Sequence, residues 1–274
     1  MNLARFIRVD SLLIFWGAAL GFFVPVQLAE ASAIGVQGDL TPRQQLTAGE
    51  AAAGKVVVVN PSPAVPVVAQ VTLRNMVPTP AGVEFQPLGS FSHSNASWLT
   101  VQPLTFQLEP GGSQPLSWTV QVPPKTEPGT YWSTLLVEPE LSGLEVQPKA
   151  SKVGVITVVR YAVTIITDVL GGPHAIELGQ RQLVATSGSP MLELELINHG
   201  RYLEKPSVFV EAQRVGGETP PVRINAPVKA LYPNSTARVE VPLGDLPQGQ
   251  YSLLLVADIG DGSPIGAQYA VELR

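Results

Sequence analysis

The chain has 274 residues, room for about two domains with separate cores. Charged residues make up only 14% of it, and 25 glycines and 26 prolines break it into short segments, which favours an all-β chain over a helical one. A net charge of -5 excludes the basic footprint of a nucleic-acid binder and makes an anionic membrane surface an equally poor partner.

Residues 1–33 read as a secretory signal. Arg5 and Arg8 give a positive start, Leu12 to Val24 an apolar core, and Ala31-Ser32-Ala33 a small-residue cleavage site. The apolar run is shorter than the roughly 20 residues of a membrane span. The expectation is cleavage after Ala33 and a periplasmic or secreted chain without a membrane anchor. With no cysteine in the sequence, thiol chemistry is excluded and stability rests on core packing.

The rest reads as one unit repeated in divergent form: residues 34–170, then 171–274. Val56-Val57-Val58-Val59-Asn60, followed by Pro66 and the strand Val67 to Leu73, is matched by Glu193-Leu194-Glu195-Leu196-Ile197-Asn198, followed by Pro206 and Ser207 to Gln213. Leu108-Glu109-Pro110-Gly111 matches Leu231-Tyr232-Pro233-Asn234, and Pro128-Gly129-Thr130-Tyr131 matches Gln248-Gly249-Gln250-Tyr251. The later landmarks are more closely spaced, which places extra residues in the first unit around Asn75 to Pro103.

Between these turns the alternation predicts half-buried antiparallel strands. Leu116, Trp118, Val120 and Val122 point inward in one unit, and Ala237, Val239, Val241 and Leu243 in the other. Tyr131 and Tyr251, each between a Gly turn and an apolar strand, sit where immunoglobulin-like sandwiches have a tyrosine corner. The predicted fold is two tandem immunoglobulin-like β-sandwiches. Trp98 and Trp118 read as core residues. Trp132 alternates with Tyr131 and so faces outward or toward the second domain.

Gly154 to Leu170 reads as one long strand, rich in β-branched residues and closed by Gly171-Gly172-Pro173. Val159, Tyr161, Val163 and Ile165 share one face; Ile156, Val158, Arg160, Ala162, Thr164 and Ile166 share the other. Both faces are apolar, so the strand is either sandwiched or able to complete a partner's sheet. Ordering about seven partner residues costs roughly 1–2 kcal/mol each, and main-chain bonds return about 1 kcal/mol apiece. The surplus must come from Val159, Tyr161, Val163 and Ile165, at about 1.5–3 kcal/mol per buried side chain. Arg160, the only charge between Val155 and Thr167, either clamps a partner carboxylate or pairs with Glu138, Glu140 or Asp168.

His93, His174 and His199 lack metal-ligand spacing, and no HExxH or G-x-S-x-G pattern occurs. The expectation is a non-enzyme with no metal and no cofactor. Asp258-Ile259-Gly260-Asp261-Gly262 reads as a hairpin turn ahead of a calcium loop.

Phe106-Gln107-Leu108-Glu109-Pro110-Gly111, then Trp118 to Pro123, then Gly129-Thr130-Tyr131-Trp132, then the long strand entering a second β domain, resembles the PapD-like periplasmic chaperones of pilus assembly. That resemblance implies two immunoglobulin-like domains at an angle, the last strand of the first adding to an incomplete exported subunit. The implied partners are a pilin-like subunit and an outer-membrane usher, with Val159, Arg160, Tyr161, Val163 and Ile165 at the contact. The family holds a subunit carboxylate with an Arg near the mature start and a Lys near the end of that strand. Here Thr41-Pro42-Arg43 is a loose echo of the first, while Thr164 to Val169 offers Asp168 and no Lys. The alternative function is a structural or adhesive envelope protein that chaperones nothing.

Overall fold

The computed structural model describes residues 34–79, 82–89, 91–140, 158–186, 189–217 and 219–273. The expected signal and its cleavage site lie outside the described residues, as do Gly154 to Thr157 of the expected long strand. Among the described residues, seventeen strands and one short 3-10 turn, Ala96–Trp98, make up the regular structure. The first sandwich contains β1 (Gly35–Gln37), β2 (Arg43–Leu46), β3 (Ala51–Val59), β4 (Val67–Thr79), β5 (Gly82–Gln86), β6 (Leu99–Gln102), β7 (Thr105–Leu108), β8 (Ser113–Gln121), β9 (Gly129–Pro139) and β10 (Tyr161–Val169). The second contains β11 (Ile176–Thr186), β12 (Ser189–Asn198), β13 (Ser207–Arg214), β14 (Val222–Ala226), β15 (Ser235–Pro242), β16 (Gly249–Asp258) and β17 (Ile265–Leu273).

In the first sandwich the sheet β1-β3-β8-β6 faces the sheet β2-β10-β9-β4-β5, with β7 also paired to β4. In the second, β11-β12-β15 faces β14-β13-β16-β17. Each pair of sheets encloses its own core, with Val58, Leu116, Leu135 and Ile165 fully buried in one and Leu196, Val210, Val241 and Leu255 in the other. The predicted inward rows are inward: Leu116, Trp118, Val120 and Val122 are buried, as are Val239, Val241 and Leu243, with Ala237 packed at the margin. Trp118 lies across Gly54 of β3, where a Cβ would come within 2.4 Å of the indole, so only glycine fits there.

The repeat is visible at atomic level. Tyr131 Oη donates to the Glu127 carbonyl at 3.0 Å and Tyr251 Oη to the Pro247 carbonyl at 2.9 Å, so both tyrosine corners form. Asn60 is buried and donates through Nδ2 to the carbonyls of Val65, Leu108 and Glu109. Asn198 does the same for Tyr202 and Leu231, and each Asn accepts from the amide two residues on. The matched turns carry left-handed residues at equivalent places, Gly111 at φ 69° and Asn234 at φ 55°. The extra residues of the first unit form β5, the 3-10 turn and β6, whereas the second unit runs from β13 to β14 directly.

One expectation is corrected. The strand into the second domain starts at Tyr161, and Val158, Val159 and Arg160 precede it without regular structure. Tyr161 faces Val137, so continuing the ladder would bring Val159 opposite Pro139, which has no N–H to give.

Candidate functional site

β10 is flanked on one side by antiparallel β9 along its whole length, Tyr161 to Val169. Its other edge is occupied unevenly. Ile166 to Val169 pair in parallel with Arg43 to Leu46 of β2. Upstream, the Thr164 amide donates to the Leu40 carbonyl at 2.8 Å and the Ile166 amide to the Pro42 carbonyl at 2.9 Å. Main-chain groups two residues apart on a strand point the same way. Ala162 therefore presents its N–H and C=O to this edge, and among the described residues nothing pairs with them. Pro42, lacking an N–H, cannot return a bond there. Exposed Leu40 and Val159 lie on either side of this gap in chain position.

The side chains named from the sequence are distributed differently from the rim that alternation suggested. Val163 and Ile165 are fully buried in the first core and cannot be lent to a partner without opening the sandwich. Tyr161 is half-buried against that core, and Val159 is exposed. Arg160 pairs with Glu138, Nε to Oε2 at 2.6 Å, in an exposed contact. Arg43 is engaged by Asp168, Nε to Oδ2 at 2.6 Å and Nη2 to Oδ1 at 3.1 Å. The opposite face of β10, Thr164, Ile166 and Asp168, is buried as well.

Asp168 is the hub of a junction between the two sandwiches. At 2% exposure it accepts from Arg43 and, at 2.6 Å, from Thr130 Oγ1. Thr130 Oγ1 in turn accepts from the Leu203 amide, while Arg43 Nη2 donates to the Leu203 carbonyl at 2.8 Å. Thr130 also donates its amide to the Arg201 carbonyl, and Arg201 pairs with Glu127. The Glu127 hydrogen bond is the main reason the Arg201 guanidinium is held above its ordinary pKa. Tyr202 Oη ties the linker down, donating to the Val169 carbonyl at 2.8 Å and accepting from the Gly172 amide at 3.0 Å. His174 stacks on Tyr202 and bonds buried Glu204 at 2.6 Å.

Beside this network is an aromatic rivet. Trp132 faces the second domain, as its alternation with Tyr131 allowed, and is 2% exposed. It packs with Met76, Ile166 and Leu203 and donates Nε1 to the Met76 carbonyl at 2.8 Å. Phe91, His93 and Tyr232 ring it at 5.3 Å between centroids. Burial pushes the Tyr232 phenol up from its ordinary value.

Sequence reading noted Arg43 and Asp168 separately but missed that they meet, and it missed Thr130, Tyr202, Leu203 and Glu204. The available signal was an acid near the end of an otherwise apolar strand, which a fold buries only with a partner. Asp258 and Asp261 accept from the Gly260 and Ser263 amides in the turn between β16 and β17, as the hairpin reading had it. No described group of three or more His, Asp or Glu side chains is arranged around a metal position. No helix among the described residues is long and apolar enough to cross a membrane.

No family model and no curated protein matches the chain. Solved structures to which it is similar include the class 5 fimbriae chaperone CfaA, at 12% identity and a TM-score of 0.47, over 88% of this chain and 100% of that one. A second is the Escherichia coli chaperone DraB, at 15% identity and a TM-score of 0.41, over 88% and 98%. A third comes from the complex of the Salmonella enterica SafA pilin with the SafB chaperone, at 14% identity and a TM-score of 0.42, over 90% and 99%. Chaperones thus recur among the structures this chain is similar to.

Proposed function

We propose that the chain is a non-enzymatic exported binding protein of the periplasm, released from its signal after Ala33, that holds a pilin-like subunit by strand addition at the upstream end of β10. An outer-membrane usher is the second partner in this reading. The observation that carries it is the main chain of Ala162, unpaired among the described residues, at the upstream end of an edge that the segment from Leu40 to Leu46 otherwise occupies. Val159 and Tyr161 supply the side chains, while Val163 and Ile165 hold the strand in place from inside the core. Arg160 can exchange Glu138 for a partner carboxylate at little cost, because an exposed ion pair is worth only about 0–1 kcal/mol. Arg43, engaged by Asp168, contributes by fixing the junction that positions this edge.

Energetics narrow the partner. Two apolar side chains return about 3–6 kcal/mol on burial and the two open main-chain groups of Ala162 about 1 kcal/mol apiece, which at best balances the ordering of seven free residues at roughly 1–2 kcal/mol each. This favours a subunit whose sheet is already formed and lacks a strand.

Co-expression with exported pilin-like subunits tests the reading. The expected result is a one-to-one complex that Ala162→Pro weakens at least tenfold with an unchanged melting temperature, since proline there removes only an edge donor. Arg160→Ala is expected to weaken it less. Capture unaffected by Ala162→Pro would overturn the edge assignment.

The second reading, a rigid envelope spacer, is favoured by the buried Asp168 and Trp132 contacts that fasten the two domains. It is distinguished by purification of the chain alone whatever subunits are present.

A further inference from the structure

β2 begins at Arg43 because of the residue before it. Arg43 faces Ile166 in the parallel pairing with β10. Upstream the alignment continues, with the Thr164 amide on the Leu40 carbonyl and the Ile166 amide on the Pro42 carbonyl. In a parallel ladder the residue that accepts from Ile166 also donates to the Thr164 carbonyl. Pro42 has no N–H to give, so the Thr164 carbonyl is left open on this edge and the ladder stops.

Residues 38–41 are therefore held against β10 by a single main-chain bond, Leu40 to Thr164. Little else fastens them. Asp39, Leu40 and Thr41 are exposed, and their side-chain bonds, from Thr41 N and Oγ1 to Asp39 Oδ1, are internal to the stretch. Gly38, at φ 122°, supplies a hinge that a side chain would stiffen. Both flanks are fixed. Upstream, Ile34 is buried in the core and Gly35 to Gln37 pair with β3; downstream, Arg43 is tied to Asp168 and Leu46 enters the core. Along the upstream edge of β10, the N–H and C=O of Ala162 and the C=O of Thr164 are open, and the Thr164 N–H is covered by this stretch alone.

We propose that residues 38–41 are a displaceable strap that gates the subunit edge: they swing off between Gly38 and Pro42, and the incoming strand takes both main-chain groups of Thr164 as well as those of Ala162. The proposal rests on the strand-addition reading above and defines how far the added strand runs. Pro42 keeps its bond to Ile166, next to the anchored Arg43, so the opened edge ends at Thr164. One lost bond to Leu40 is replaced by one from the subunit, and the Thr164 carbonyl gains a donor that the free chain never gives it.

Amide hydrogen exchange of the mature chain by NMR, corrected for intrinsic rates, tests the strap without a partner. The Thr164 amide is expected to exchange about tenfold faster than that of Ile166, which serves as the internal reference on the same edge. Pro42→Ala supplies the missing donor to the Thr164 carbonyl and is expected to slow Thr164 to the rate of Ile166. Asp39→Ala removes the bonds that brace the stretch and is expected to speed Thr164 further. Both positions lie outside the two cores, and melting temperatures are expected to stay close to the parent. With a co-expressed pilin-like subunit, Pro42→Ala is expected to weaken capture about tenfold and Asp39→Ala to leave it at least as tight as in the parent. A parent Thr164 amide as slow as that of Ile166, or a complex that Pro42→Ala leaves intact while slowing Thr164, would overturn the strap alone. A parent chain that captures no subunit would overturn the strand-addition reading and the gating role with it.

Discussion

The junction at Asp168 makes an asymmetric prediction. Arg43→Met leaves a carboxylate at 2% exposure with only Thr130 as a donor, whereas Asp168→Asn leaves a guanidinium whose side chain is 39% exposed and can be solvated. Removing the countercharge of a buried ion costs about 3–5 kcal/mol. Removing the acid costs the charge assistance of bonds worth about 1.5–3 kcal/mol each, reduced here by solvent around Arg43. The expected losses are about 3–5 kcal/mol for Arg43→Met and about 1–3 kcal/mol for Asp168→Asn. At roughly 2–4 °C per kcal/mol for chains of this size, that is a fall of about 6–20 °C against about 2–12 °C. The pair shares its bonds, so the double variant should lose less than the sum of the two. Calorimetry and urea unfolding at neutral pH measure all three. Equal losses, or a larger one for Asp168→Asn, would show that burial of the carboxylate does not set the energy of the junction.

Two further outcomes follow from the repeat and from the rivet. Asn60→Ala and Asn198→Ala each leave buried carbonyls without donors, so each should cost about 2–4 kcal/mol in urea unfolding, with Asn60, which serves three carbonyls, the more costly. For Tyr232, the folded phenol holds its proton to higher pH than the unfolded one, so its contribution is constant below its ordinary 10.0 and is lost as pH rises above it. Melting temperatures from pH 8 to 11 should therefore fall faster above about pH 10 in the parent than in Tyr232→Phe, and parallel curves would refute this.

Much of the fold was legible because its signals are local. Alternation placed Leu116 to Val122 inward, a Gly turn ahead of Tyr131 and Tyr251 marked both corners, and an Asn closing the first apolar strand of each unit marked the repeat. The edge site was legible only in part. Apolar residues on both faces of β10 left a sandwiched strand and a partner-completing one equally open; its odd-numbered face is covered by the chain's own sandwich and its even-numbered face by the domain junction.

By itself the sequence determined the all-β class, the repeat and which side chains leave water, since alternation and turn chemistry act between residues a few positions apart. Tertiary structure alone decided what covers each face and edge: that Arg43 meets Asp168, that β2 stops short of Ala162, and that Trp132 is closed in by Leu203 and Tyr232. A hydrophobic pattern specifies burial but not the burying surface. That choice is made by contacts between distant segments, whose free energy depends on how the sheets pair and pack.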